Sequence, residues 1–148
     1  HYENSFQPKE DVLAGKENGK WIKYDFKTIR EMANNLSFGL MKLGVKKGDK
    51  IATISPNRPE WNILDMAILQ IGAIHVPIYP TISENDYRYI LKHSEVQYLF
   101  VSGWDLFRKI KHIVPEIPNI KGYYTFKHFD DVPHLLDLID LGKASTDE

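Results

Sequence analysis

Apolar positions along this chain switch repeatedly between strand-like runs and helix-like stripes. Val12 to Ala14 lead into Asn18-Gly19, and Trp21, Ile22 and Tyr24 lead out of it. Asn-Gly suits a type I′ turn, whose two central residues need positive φ, so the start reads as a β-hairpin. From Asp25 to Leu43 the period becomes helical, with Phe26, Ile29, Met32, Ala33, Leu36, Leu40 and Leu43 on one stripe. Asp25 is placed as its N-cap and Gly44 as its C′ residue. Lys46 to Asp49 make a polar turn, and Ile51 to Ser55 a short strand. A helix follows from about Arg58 to Ile71, with Trp61, Leu64, Ile68 and Ile71 on one face. Ile63, Met66 and Ala67 widen that face, so the helix is expected to be covered on two sides. Asn57 and Glu60 have the spacing of a capping box, and Pro59 falls in the first turn, where a missing N–H costs little.

Ala73 to Tyr79 reads as the next strand, entered through Gly72. Ser83 and Asp86 mark a helix start that runs to His93, with Tyr87, Ile90 and Leu91 inward. Val96 to Val101 is a nearly continuous apolar run, as expected of a strand buried on both faces. Asp105 to Val114 is expected to be helical on Leu106, Phe107, Ile110 and Ile113, and to be stopped by Pro115 and Pro118. Ile120 to Thr125 is a last strand. Asp131 to Leu141 is a last helix, opened by the Asp130-Asp131 pair, closed by Gly142, with Leu135, Leu138 and Ile139 inward. The tail KASTDE reads as a linker or a cut end. Strand-then-helix units in succession predict an α/β fold: an N-terminal hairpin and helix, then a doubly wound, mainly parallel sheet with helices on both faces.

Two prolines interrupt this picture. Pro77 sits inside the Ala73–Tyr79 run and Pro80 closes it. Proline cannot donate a ladder hydrogen bond, so Pro77 argues for an edge strand or a bulge. One reading is an edge protected from further pairing. The other is a stiffened strand end, since open α/β sheets gather ligands beyond the carboxyl ends of their strands. Tyr79 and Thr81 would project near such an end.

Composition narrows the chemistry mostly by exclusion. The 148 residues are 43% apolar with a formal net charge of -1, ordinary for a globular domain. A chain this balanced carries no electrostatic footprint for nucleic acid, and Trp21, Trp61 and Trp104 do not interleave with a basic stripe. All three are expected to make core or inter-subdomain contacts. Lys46, Lys47 and Lys50 read as a solvated turn. Cysteine is absent, which excludes disulfides and thiolate chemistry and fits a reducing cytosol. No apolar run approaches the roughly 18 residues of a membrane span. Glycine-rich dinucleotide, phosphate-loop and nucleophile-elbow motifs are missing. The six histidines show no HExxH spacing. His75 alternates with Ile74 and Val76 on a core strand and is expected to be satisfied by a neighbouring backbone group. The chain starts at His1, not Met, and opens in mid-pattern, so residues 1–148 are expected to be part of a longer protein.

Four stretches occur in an order that resembles a known family. KWIKYDF, GLMKLGVKKGDKIATISPNRPEW, LQIGAIHVPIYPT and SEVQYLFVS follow one another as in the N-terminal part of the large domain of adenylate-forming (AMP-binding) enzymes. The PNRPEW and VPIYPT wording is most similar to long-chain fatty acyl-CoA synthetases. Asn57, Gly72, Pro77 and Pro80 match scaffold positions of the family's motifs, and Asn57 is assigned helix capping. The resemblance implies an ATP- and Mg2+-dependent acid–thiol ligase that forms an acyl-adenylate and then a coenzyme A thioester of a fatty acid. It implies that the phosphate-binding loop and C-terminal domain lie outside residues 1–148, so these residues are expected to be inactive alone, to bind none of those cofactors, and to hold no catalytic or metal-binding position. Tyr79 and Thr81 are expected to lie near substrate. The partners implied are the rest of the same chain, the fatty acid, and a second copy through exposed apolar surface. The location implied is cytoplasmic, with peripheral attachment of the whole enzyme left open because long acyl chains partition into bilayers. Another adenylating enzyme, acting on aryl or amino acids, and a free-standing α/β nucleotide- or protein-binding module remain the alternatives.

Overall fold

A computed structural model describes residues 9–146; His1 and the final Asp147 and Glu148 lie outside them. Strands β1 (Leu13–Glu17) and β2 (Lys20–Tyr24) form an antiparallel hairpin. Both turn residues, Asn18 and Gly19, have positive φ, as the type I′ geometry requires. Helix α1 (Phe26–Lys42) follows, and the Asp25 carboxylate accepts from the Thr28 N–H at 2.7 Å to cap it. Then come β3 (Lys50–Ile54), α2 (Pro59–Gln70), β4 (Ile74–Ile78), α3 (Glu84–Ser94), β5 (Tyr98–Val101), α4 (Trp104–Ile110), β6 (Gly122–Thr125) and α5 (Leu135–Thr146).

The four later strands are all parallel, in the order β4-β3-β5-β6. Side chains alternate between two cores. Ile51, Tyr98 and Phe100 face α1, α2 and α5, whereas Ala52, Ile54, Leu99 and Val101 face α3 and α4. The doubly wound expectation therefore holds, and β5 is buried along its whole length.

On α1 the expected stripe holds at Ile29, Ala33, Leu36 and Leu40, but Phe26 at the first helical position is about half exposed. Met66 is exposed because it points away from the Leu64–Ile68 face of α2. Helix α4 ends at Ile110, earlier than expected, and Pro115 sits inside a separate 3-10 turn, Val114–Glu116, rather than ending α4. Asp130 and Asp131 do not open α5. Asp131 has φ 62° in a turn. The helix starts after His134, whose N–H donates to Asp137 at 2.7 Å and whose Nδ1 accepts from the Leu136 N–H.

Gly142 does not close α5 either; the helix continues to Thr146, into the residues read as a tail. Its real role is close approach. A Cβ on Gly142 would lie 1.7 Å from the Asn35 carbonyl oxygen, and one on Gly39 would lie 2.1 Å from that of Leu138. The α1–α5 crossing thus leaves no room for a methyl group at either position. Helix propensity alone would favour alanine over glycine by about 1 kcal/mol. Gly142→Ala is instead expected to destabilise the protein by about 1–3 kcal/mol through overpacking, read by urea unfolding. A control change at exposed Ala144, such as Ala144→Ser, should stay within about 0.5 kcal/mol.

Candidate functional site

Strand order reverses between β3 and β5, and open α/β sheets usually take ligands at the carboxyl side of such a reversal. Here the chain's own Arg58 occupies that place. Its Nε and Nη2 donate to the two Glu60 carboxylate oxygens, each at 2.8 Å, and Nη1 donates to the Ser102 carbonyl at 3.1 Å. The guanidinium also lies 5.4 Å from the centre of the Phe126 ring. Both side chains of the pair are nearly buried, 14% and 15% exposed.

The sequence places a different group at the start of α2. Asn57 is not the cap. The N-cap is Arg58, with no side-chain cap bond. That shifts Glu60 to the second helical position, too early for a capping box, and it turns to Arg58 instead. The RPE triplet carried the signal: an arginine and a glutamate two residues apart across a first-turn proline.

Burial raises the Glu60 carboxyl, but hydrogen bonds from Arg58 and its own backbone N–H, with the Arg58 charge, outweigh it and hold Glu60 below the usual carboxylate range. Burial, and then the charges of Glu60 and Glu17, push the Tyr24 hydroxyl upward. The hairpin covers this cluster. Gly15 packs so close to Pro59 that a Cβ there would sit 2.8 Å from the proline ring. A crevice of about 240 Å³ remains between them, lined by Lys16, Glu17, Ile22, Tyr24, Arg58, Glu60 and Lys127. Opposed charges line it, so it favours neither an anion nor a cation.

A second hollow, of about 490 Å³, opens beyond the ends of β3 and β4. Ser55, Pro56, Asn57 and Trp61 form one side; Pro77, Ile78, Tyr79, Pro80 and Thr81 form the other. The fold thus brings Asn57, Pro77, Tyr79, Pro80 and Thr81 together. Gly72 lies at the opposite end of β4, with φ +70°, where it reverses the chain between α2 and the strand.

Pro77 now has a physical account. The Ile74 N–H donates to Asp49 on the β3 side at 2.8 Å. Backbone groups alternate along a strand, so those of Val76 and Ile78 also face β3 while His75, Pro77 and Tyr79 face outward. Strand β4 ends the sheet among the described residues, so Pro77 forfeits no ladder bond and blunts an open edge.

His75 is satisfied by side chains rather than by a backbone group. Its Nδ1 lies 2.7 Å from Asp65 Oδ1 and its Nε2 2.8 Å from Thr53 Oγ1. The ring centre is 5.0 Å from that of Trp61. Trp21, expected in a core or inter-subdomain contact, is not in the core: it is 65% exposed on the hairpin, and Trp104 is half exposed against Phe107 and Phe129. Apolar side chains exposed near the open edge include Leu69, Ile74 and Tyr79. Among the described residues no cluster of His, Asp or Glu could hold a metal, and no helix is long and apolar enough to cross a membrane.

Residues 3–139 match the family described as AMP-binding enzyme. Over 103 residues the chain is 38% identical to fatty acyl-CoA synthetase A of Dictyostelium discoideum, which covers 68% of this chain and 15% of that protein. Over 123 residues it is 34% identical to a long-chain-fatty-acid–CoA ligase, FadD15, of Mycobacterium bovis, covering 81% of this chain and 20% of that one. The chain therefore spans at most about a fifth of these relatives. Two solved structures share its fold. An anthranilate CoA ligase in complex with anthranoyl-AMP superposes with a TM-score of 0.74 at 22% identity, over 80% of this chain and 23% of that one. A long-chain-fatty-acid–CoA ligase of Archaeoglobus fulgidus does so at 0.73 and 24%, over 81% and 23%.

The buried ion pair supplies a pH test. Because Glu60 is held below the usual carboxylate range in the fold, its contribution is full above the ordinary glutamate value and is lost as pH falls through the depressed folded-state value. Glu60→Gln should cost about 1–3 kcal/mol at pH 7, since it leaves Arg58 nearly buried without its anion. The difference from wild type should shrink on acidification in urea unfolding followed from pH 7 to 3.

Proposed function

This chain belongs to the AMP-binding enzyme family, and on that premise we propose that it is the N-terminal portion of the large domain of an ATP-dependent long-chain fatty acid–CoA ligase. The observation that carries the reading is the 34% identity, over 81% of this chain, to a protein named for that activity. The order and wording of PNRPEW and VPIYPT support it.

In the whole protein a fatty carboxylate oxygen attacks the α-phosphorus of ATP and pyrophosphate leaves. The thiol of coenzyme A then attacks the acyl carbon, losing its proton, and AMP leaves. Mg2+ offsets charge on the phosphate oxygens. ATP, Mg2+ and coenzyme A are assigned to the whole protein, and no residue of this chain is assigned to them.

The part of residues 9–146 is to build a rigid wall. The sheet is held from both faces, the reversal point is filled by Arg58, and the hollow with Tyr79 and Thr81 faces outward. Tyr79 and Thr81 are proposed to meet the acyl substrate or the polypeptide that borders it. The exposed apolar side chains around Leu69 and Ile74 are proposed to be covered by the rest of the same chain.

The test is ATP–pyrophosphate exchange by the whole polypeptide that contains these residues, with palmitate, benzoate and single amino acids as separate substrates. Palmitate-dependent exchange, followed by palmitoyl-CoA formation seen by mass spectrometry, is the expected outcome. Exchange with benzoate or an amino acid in place of palmitate moves the assignment to another adenylating enzyme. Residues 1–148 alone should show no exchange; specific micromolar ATP binding by them would favour a free-standing nucleotide-binding module.

A further inference from the structure

Three elements meet at His75. Asp65 comes from α2, Thr53 from β3, and His75 from β4. The histidine side chain is 5% exposed, Asp65 is 32% exposed, and Thr53 is fully buried. With Nδ1–H donating to the Asp65 carboxylate, Nε2 is left to accept the Thr53 hydroxyl proton. The polarity resembles a nucleophile–base–carboxylate chain. Thr53 Oγ1, however, lies inside the sheet where no substrate atom can reach it, so the arrangement cannot attack anything.

We propose that Asp65, His75 and Thr53 form a positioning relay that fixes the width of the hollow at the ends of β3 and β4. The two sides of that hollow belong to different elements: Trp61 stands on α2, and Pro77 to Thr81 continue from β4. Among the described residues strand β4 has backbone partners on one side, so its ladder restrains it less than the ladders on both sides restrain β3. The Asp65–His75 bond ties the two sides together. The His75–Thr53 bond ties both to the central strand. The imidazole in turn seats the Trp61 ring, 5.0 Å away. His75 is thus a positioning residue that acts through Trp61, and its role stands on this geometry whichever acid the whole enzyme activates.

The experiment uses the 148-residue chain with Trp21→Phe and Trp104→Phe, so that Trp61 alone reports by fluorescence. In that background His75→Ala should red-shift Trp61 emission and increase its acrylamide quenching, with far-UV circular dichroism unchanged. Exchange of the Val76 and Ile78 amides should rise about tenfold, the expected size for losing a charge-assisted hydrogen bond. Added imidazole should reverse the emission shift, a rescue that a general loss of packing would not show. Thr53→Val and Asp65→Asn, which nearly keep shape, should each produce part of the effect and keep the test available if His75→Ala fails to fold. ¹⁵N shifts of His75 at neutral pH should report a proton on Nδ1 and a hydrogen-bonded acceptor at Nε2. Unchanged Trp61 emission and unchanged exchange in the folded variants would overturn the proposal, as would a proton found on Nε2 with Nδ1 bare.

Discussion

Strand β3 bonds to β4 on one side and to β5 on the other, and the rest of the structure hangs on that double pairing. It places the reversal of strand order at Ile54 and Val101, because the chain leaves β3 for β4 and must cross back to reach β5. It sets Ile51 toward one core and Ala52 and Ile54 toward the other. It also brings Thr53 under His75, since the parallel register puts Ile51 beside His75 and Thr53 two residues further along the same face. A slip of one residue would send every one of these side chains to the opposite face.

The fold meets the cost of burying polar groups in two ways. At the reversal point it neutralises a nearly buried arginine with a bidentate carboxylate and a carbonyl, and covers the pair with the hairpin and the Phe126 ring. At the open edge it threads a histidine between a carboxylate about one-third exposed and a hydroxyl that has no route to water. Among the described residues no buried side-chain nitrogen or oxygen lacks a partner. An isolated buried charge would be expensive, whereas paired and hydrogen-bonded groups hold fixed geometry. The first cluster sits at the carboxyl side of the sheet, and the second lies along β3 and β4 behind the hollow that opens at their ends.

Membership of the AMP-binding family fits a supporting wall of this kind. The relatives named above are five or more times longer than the stretch they share with this chain. The described residues form a four-stranded sheet covered on two faces, whose open β4 edge, exposed Tyr79 and outward hollow lie together. On the α1–α5 side the two helices cross too closely for a methyl group, while Phe38, Met41 and Leu136 remain exposed there.

Much of this was determined by sequence alone. The Asn18-Gly19 turn, the capped stripe of α1, the Ser83–Asp86 capping box and the apolar run of β5 are local signals, fixed by side-chain period and backbone preference. The parallel sheet followed from their alternation. Tertiary structure decided whatever depends on residues far apart in the chain. Gly142 reads as a helix stop until α1 is seen against it, and then it is a contact point inside a helix. Asn57 reads as a cap until Arg58 takes its place and draws Glu60 inward. Pro77 could mark an edge or a ligand-side end, and strand order made it the edge while the hollow gathered Pro80, Tyr79 and Thr81 beside it. His75 had no visible partners, because Asp65 and Thr53 reach it through helix packing and strand register, which local periodicity does not encode.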